Sequence, residues 1–454
     1  MSEREFDVIV VGAGPAGEVC AGRLGDGGLS VAVVEEHLIG GECSFYACMP
    51  SKSLLRPGEL LAEVRRIPGA REAVSGELDV AAVLSRRDEI IHDLDDSGME
   101  PWLAERGIEL VRERGRLDGE RRVRAGDDVL VARRAVVVAT GTSALVPPIE
   151  GLREAEPWTN REATTAKAAP ERLVILGGGV VGVEMAQAWR MLGSQVTLIE
   201  AADRLIAREE RFAGEQVAEA LSELGVDMRI GVKATAVRAG GGEVTVELED
   251  GMQALGDELL VAIGRRQNTD DLGLETVGLE GGGPIEVDDR MAVNDWLYAI
   301  GDVNGRVLLT HMGKYQGRIA ADVILGKDAH AMHDDGRSPR VIFTDPQVAA
   351  VGHTLDSARQ AGLSVRAVDV PTQGNAGASF YGRDSAAGTA RLVVDEDRGL
   401  IAGATFTGPE VQDFLHAATI AVIGEVPIER LAHAVPSFPT RSEVWLYLLE
   451  GLEA

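Results

Sequence analysis

The chain has 454 residues and carries 73 acidic against 45 basic side chains, a formal net charge of −28. Nucleic acid and anionic membrane repel such a polyanion, so neither is expected as a partner. At this length about three domains with ample core are expected, and no apolar stretch approaches the roughly 20 residues needed to cross a bilayer. The start, Ser2-Glu3-Arg4-Glu5, has neither a cationic nor a long apolar region, so no targeting segment is expected and the cytoplasm is the expected compartment. Three cysteines in such a chain point to a reducing compartment and to a working rather than a structural disulfide. Basic residues are nearly all Arg, which we read as genome composition, and Lys52 is one of only five lysines.

The first predicted element is a strand at Val8–Val11. It leads into Gly12-Ala13-Gly14-Pro15-Ala16-Gly17, and after a helical stretch a second strand, Val31–Val34, ends at Glu35. The pattern recurs downstream. Leu173–Leu176 leads into Gly177-Gly178-Gly179-Val180-Val181-Gly182, and Val196–Ile199 ends at Glu200. In both copies the acid lies 23 positions after the first glycine (Gly12 to Glu35, Gly177 to Glu200). One such glycine motif is weak evidence in a chain with 55 glycines. Two in register, each between a strand and a helix, predict two dinucleotide-binding folds. Gly12 and Gly177 permit the tight turn, Gly14 and Gly179 let the backbone approach a pyrophosphate, and Gly17 and Gly182 pack helix against strand. The following helix N-termini, at Pro15-Ala16 and at Val181, direct unpaired N–H groups and a positive dipole at the phosphates. Glu35 and Glu200 sit where a carboxylate accepts from ribose hydroxyls; the plainer alternative for each is a solvated strand end.

Directly after the first fold's second strand comes Gly40-Gly41-Glu42-Cys43-Ser44-Phe45-Tyr46-Ala47-Cys48-Met49-Pro50-Ser51-Lys52. Two cysteines at this spacing suit a redox-active dithiol, because a helix N-terminus or nearby cation lowers a thiol pKa and a neighbouring reductant can cycle the disulfide. A buried pair or a static staple is the alternative, and neither needs the flanking glycines and lysine. Further along, Ala135–Ala139 before Thr140-Gly141 reads as a strand. Runs near Leu392–Val394 and Ile401–Thr407, followed by a helix over Val411–Ile423, suit a mixed sheet with helices on one face.

The dithiol run resembles the motif Gly-Gly-x-Cys-x4-Cys-x-Pro-Ser-Lys of the class I FAD-dependent pyridine nucleotide-disulfide oxidoreductases, which include dihydrolipoamide dehydrogenase, glutathione and mycothione reductases and mercuric reductase. The resemblance extends from about residue 5 to 450. Thr140-Gly141, Leu297-Tyr298-Ala299-Ile300-Gly301-Asp302, Val261-Ala262-Ile263-Gly264-Arg265 with Asn268-Thr269, and Thr344-Asp345-Pro346-Gln347-Val348 match further family motifs in the family's order. It implies an α/β fold class with two Rossmann-like dinucleotide-binding domains and a C-terminal α+β dimerisation domain. FAD binding is expected from residues 1–148 and 269–337, nicotinamide binding from 149–268, and the homodimer interface from 338–454. For FAD, the implied residues are Gly12, Gly14, Pro15, Ala16, Gly17, Glu35, Gly41, Lys52, Thr140, Gly141, Gly301 and Asp302. For NAD they are Gly177, Gly179, Val181, Gly182, Glu200 and Gly264. NADH is expected over NADPH, since Glu200 repels a 2′-phosphate, although Arg204 and Arg208 lie nearby and oppose this. By resemblance the nicotinamide reduces the flavin and the flavin reduces the disulfide. Cys48 faces the flavin, Cys43 attacks the substrate, and Lys52 paired with Glu184 stabilises negative charge on the reduced ring. No metal ligand set is read.

Two positions depart from the family. Glu42 replaces the usual Thr before the first cysteine and adds charge close to the FAD phosphates. At the C-terminus the family's His-Pro-Thr-x-x-Glu becomes Phe438-Pro439-Thr440-Arg441-Ser442-Glu443. The missing histidine is the acid/base for the interchange thiol, a contribution of about 10²- to 10⁴-fold that a phenyl ring does not make. His433 is a substitute only by a different loop path. Mercuric reductase also has Phe here but adds a C-terminal cysteine pair, absent from this chain, and 2-ketopropyl coenzyme M oxidoreductase/carboxylase pairs its Phe with a His where this chain keeps Glu443. The expected function is therefore NAD(P)H-dependent reduction of a small-molecule acceptor other than a simple dithiol substrate: a quinone, an electrophile or an activated disulfide. Dihydrolipoamide dehydrogenase or mycothione reductase activity is the alternative, followed by carboxylase-like thioether cleavage and by a redox-responsive binding protein without turnover.

Overall fold

The structure, a computed structural model, describes residues 3–381 and 388–453. Its residues group into two compact units. One takes its residues from Met1–Pro50, Asp88–Leu145 and Arg265–Gly336, the other from Ser51–Arg87, Val146–Gly264 and Arg337–Ala454.

In the first unit a parallel sheet runs in the order Ile108–Val111, Val31–Val34, Glu3–Val11, Asp128–Val138. Helices and loops cover both faces, so the central strands are continuous apolar runs rather than alternating ones. Val8 and Val10 point at Cys20, Ala21 and Leu24 of helix Pro15–Asp26 and at Ala320 and Ala321 of helix Thr310–Ile324. Ile9 and Val11 point the other way, at Leu117, Val123, Leu130 and Trp296. The long strand Asp128–Val138 serves two neighbours on its outer edge. Its beginning pairs antiparallel with Arg122–Ala125, and its end pairs parallel with Leu297–Ala299, which brings the Gly301-Asp302 turn to the carboxyl end of the sheet.

The strand Glu3–Val11 begins well before Val8, where the sequence reading placed it. Its first five residues alternate Glu, Arg, Glu, Phe, Asp, and the charged ones are held by ion pairs, Arg122 with Glu3 at 3.2 Å and Arg133 with Asp7 at 3.1 Å. Cross-strand charge pairs of this kind stabilise a strand that an apolar pattern alone does not reveal.

The second unit holds the other parallel sheet, ordered Asp227–Ile230, Gln195–Glu200, Arg172–Leu176, Glu258–Val261, with helix Val180–Met191 buried against it. A three-stranded antiparallel sheet, Ala234–Gly240, Glu243–Leu248 and Gln253–Gly256, follows. The C-terminal five-stranded antiparallel sheet runs Arg340–Ile342, Gln347–Gly352, Leu400–Gly408, Thr389–Asp395, Val365–Pro371. Helices Gln412–Ile423 and Val444–Glu453 pack on it through Leu415, Ala418, Val444 and Leu448 against Val351 and Phe406. Buried ion pairs Arg340–Glu209 at 2.7 Å and Arg391–Glu210 at 2.8 Å join this sheet to the start of helix Arg211–Glu223. The fold is mixed α/β, and among the described residues no helix is long and apolar enough to cross a membrane.

Candidate functional site

The sequence repeat is also a repeat of contacts. Gly12 N–H donates to Val34 O and Gly177 N–H to Ile199 O, both at 2.8 Å. A Cβ on Gly12 would meet Ala139 O at 2.4 Å, and one on Gly177 would meet Ala262 O at 2.5 Å. Both residues have left-handed backbone, with φ of +104° and +110°, so each turn is closed to any side chain. A Cβ on Gly17 or Gly182 would lie 2.0 or 1.8 Å from the carbonyl oxygen of the turn's first glycine. Gly14 and Gly179, the N-caps of the two helices, are different: a Cβ on either would meet nothing within 4 Å. The open space thus lies where each helix presents its unpaired N–H groups, a cradle for a diphosphate.

Each strand-end acid folds toward its own turn. Glu35 accepts from Ala13 N–H at 2.7 Å and from His37 N–H at 2.8 Å. Glu200 accepts from Gly178 N–H and, at 2.6 Å, from Ala202 N–H. Two backbone donors hold each carboxylate at the carboxyl end of its sheet. Gly264, with φ +144°, has open space around it, and Val180, Val181 and Ile263 stay exposed beside the second turn.

In the first unit, Thr140 and Asn268 are bonded reciprocally. Thr140 Oγ1 donates to Asn268 O and Asn268 Nδ2 to Thr140 O, both at 2.9 Å. Gly301, at φ +75°, donates its N–H to Gln316 Oε1 at 2.8 Å, and Asp302 accepts from Thr142 Oγ1 at 2.7 Å. Burial raises the Asp302 carboxyl above its ordinary range, while Thr142 and Arg265 oppose the rise. The residues around the first turn thus provide a cradle for a diphosphate and a half-buried carboxylate beyond it, which fits a dinucleotide such as FAD.

Cys43 lies in helix Gly41–Phe45 and Cys48 begins helix Cys48–Arg66. Both are thiols, with no disulfide between them. The Cys43 thiol is raised far above the ordinary range by its hydrogen bond with Cys48 and by burial, while Thr310 and Lys314 draw it down. Cys48 Sγ lies 3.4 Å from Thr310 Oγ1, at the first turn of helix Thr310–Ile324, where the helix dipole favours negative charge on sulfur. Thr310 thus serves both sulfurs, lying 3.4 Å from Cys48 Sγ and, with Lys314, favouring negative charge at Cys43. Thr310, Lys314 and Thr142 were not among the predicted site residues; no short motif marks them, and they enter only because helix Thr310–Ile324 and the Thr142 strand fold back onto this region.

In the second unit Glu184 is 3% exposed on its side chain and fully engaged. Its Oε2 accepts from Lys52 Nζ at 2.6 Å and its Oε1 from Phe343 N–H at 2.9 Å, and the Lys52 ammonium also sits over the Phe343 ring at 4.8 Å. The ammonium is thereby fixed in one place. Also in this unit, Phe438 is 75% exposed and Glu443 is buried, accepting from Gly377 N–H at 3.2 Å. His433 is exposed just after helix Ile428–Leu431.

These features define a flavoprotein with a paired thiol centre, and comparison with known proteins agrees. Residues 6–317 match the family described as pyridine nucleotide-disulphide oxidoreductase, and residues 338–448 match that family's dimerisation domain. The dihydrolipoyl dehydrogenase of Thermus scotoductus is 32% identical over 461 residues, 99% of this chain and 97% of its own. The mercuric reductase of Staphylococcus aureus is 29% identical, over 97% of this chain and 81% of its own. Among solved structures, a Cu(II) complex of the HOCl-induced flavoprotein disulfide reductase RclA from Escherichia coli gives a TM-score of 0.86 at 25% identity, covering 98% of this chain and 99% of that one. LpdA from Mycobacterium tuberculosis gives 0.86 at 26% identity, covering 99% of this chain and 100% of that one. The chain belongs to the pyridine nucleotide-disulphide oxidoreductase family. It is an NAD(P)H-dependent flavoprotein disulfide oxidoreductase, and the cofactors of this family are FAD and NAD(P)H.

Proposed function

We propose that this enzyme passes two electrons from NADH to a small-molecule acceptor that does not need a protein acid to protonate a leaving thiolate. Phe438 carries the reading. It occupies the position of the family's acid/base histidine, it is exposed, and it cannot donate a proton. Quinones, electrophiles and activated disulfides meet the description, because their reduced forms are stable anions or take protons from water. Bound FAD supplies the two-electron carrier between nicotinamide and sulfur. Gly12, Gly14, Pro15, Ala16 and Gly17 cradle its diphosphate, Glu35 its ribose, and Gly41, Thr140, Gly141, Gly301 and Asp302 the rest of its chain. Gly177, Gly179, Val181, Gly182, Glu200 and Gly264 hold the nicotinamide nucleotide, and the Glu200 carboxylate favours a free 2′-hydroxyl. Cys48 is the thiolate next to the carrier and Cys43 the outward thiol. Lys52, oriented by Glu184, offsets developing negative charge. The protein works as a homodimer in the cytoplasm. The matched dimerisation domain supports the dimer, and among residues 412–453 Ile420, Val435, Phe438 and Tyr447 stay exposed where a second copy would cover them.

Dihydrolipoamide dehydrogenase activity is the second reading, favoured by curated relatives of that name at 30% and 32% identity. A steady-state screen with NADH against lipoamide, glutathione disulfide, quinones and Cu(II) separates the two; Cu(II) enters because the RclA structure is a complex with it. Quinone or Cu(II) turnover exceeding lipoamide turnover by at least about tenfold is the expected result. Lipoamide as the fastest acceptor would give the second reading precedence.

A further inference from the structure

Glu42 is the departure within the dithiol motif that the proposed reaction leaves without a role. Its carboxylate lies in the first turn of helix Gly41–Phe45, 3.6 Å from Arg265 Nη2. Arg265 has another anchor as well. The guanidinium is held by Thr142, Nε donating to Oγ1 at 2.6 Å and Nη2 to the carbonyl at 2.7 Å. Through the same threonine it reaches a second carboxylate, Asp302, 4.0 Å from Nε. Two carboxylates therefore share one guanidinium. The cluster stands beside the first diphosphate cradle, because a Cβ on Gly41 would lie 2.9 Å from Gly14 Cα, the N-cap of helix Pro15–Asp26. Glu42 is thus one residue from backbone packed on the position that a diphosphate must approach. Like charges repel, and in a partly desolvated cleft the repulsion exceeds its value in water.

We propose that Glu42 sets the FAD affinity of this enzyme: its carboxylate opposes the diphosphate and offsets the charge of Arg265, so that the apoenzyme takes up and releases FAD more readily than it would with a neutral residue at 42. This rests on the reading that the first dinucleotide fold takes FAD. The sign follows from the geometry. Because Thr142 anchors Arg265, removing the Glu42 carboxylate takes away an anion without releasing the cation, and the freed guanidinium charge then favours the diphosphate.

The test is titration of flavin-depleted full-length protein with FAD, followed by flavin fluorescence, for wild type, Glu42→Gln and Glu42→Thr, with thermal melts of the FAD-free proteins alongside. Both variants should bind FAD roughly tenfold more tightly at low salt, and the gap to wild type should shrink at high salt. Equal or weaker binding by both variants, with melting temperatures matching wild type, would overturn the proposal. So would a gap that does not respond to salt, since charge repulsion would not then be its origin. Wild type that fails to take up FAD at all would instead sink the reading beneath it.

Discussion

Glu18 follows the third glycine of the first turn, on a helix face packed closely against helix Thr310–Ile324, where a Cβ on Gly317 would meet Ala16 O at 2.6 Å. Burial raises its carboxyl from 4.5 to about 7, Lys314 opposes the rise, and Glu35 adds to it. Two residues on, burial pushes the Cys20 thiol up to about 12, which leaves that cysteine unreactive. An acid whose folded pKa lies above its unfolded one binds more protons when folded. Its effect on stability is absent below about pH 4.5, becomes an increasing loss as pH rises toward 7, and is complete above that. Glu18→Gln removes the charge and keeps the shape. FAD-free Glu18→Gln protein should be more stable than wild type by about 1–3 kcal/mol near pH 8 and nearly equal to it near pH 4.5. Thermal or urea unfolding at the two pH values checks this, and a stability difference that does not change with pH would show that Glu18 is not titrating in this range.

At the scale of elements, the glycines of one turn serve opposite ends. Gly14 has ordinary backbone, φ −69°, and space where a methyl would go, whereas a methyl on Gly17 would be driven into Gly12 O at 2.0 Å. Gly14→Ala should therefore fold with a melting temperature close to wild type and lose FAD affinity, because its methyl enters the cradle. Gly17→Ala should lose stability, by roughly 2 kcal/mol or more, from separation of helix and strand. Differential scanning calorimetry paired with FAD titration tests this, and the reverse assignment of the two defects would sink it. These turns were legible in the sequence because their chemistry is local: strand, glycine spacing and acid all fall within one βαβ unit. Two of the five strands of the C-terminal sheet were legible through their apolar runs, with Leu400–Gly408 and Thr389–Asp395 each extending a residue or more beyond the expected bounds. Charged alternation hid the beginning of Glu3–Val11. Thr310 and the Thr142–Arg265–Asp302 cluster stayed hidden for another reason. Their partners lie more than a hundred residues away along the chain, and no spacing rule connects Cys48 to Thr310 or Thr142 to Asp302.

For the molecule as a whole, the question is where the second proton of a disulfide reduction comes from. Opening a substrate disulfide at Cys43 expels a thiolate that must take up a proton, and the attacking sulfur, itself a thiolate, has none to give. In the family pattern that proton comes from a histidine in the Pro-Thr-x-x-Glu segment of the second subunit. Here the segment keeps Pro439, Thr440 and a buried Glu443. Phe438→His should therefore add a working acid. Reduction of lipoamide or glutathione disulfide should rise by about one to two decades, near the lower part of the range for general acid/base catalysis, since a grafted group is seldom ideally placed. The gain should follow a pH profile with a group near the ordinary histidine pKa, about 6.5, and quinone reduction should stay level or fall. Because Phe438 is exposed on its own protomer, the substitution should leave the fold intact, and light scattering checks that the dimer survives it. If wild type already turns over these disulfides as fast as the variant, another residue supplies the proton. Exposed His433 is then the first to replace, and dihydrolipoamide-type activity becomes the leading function.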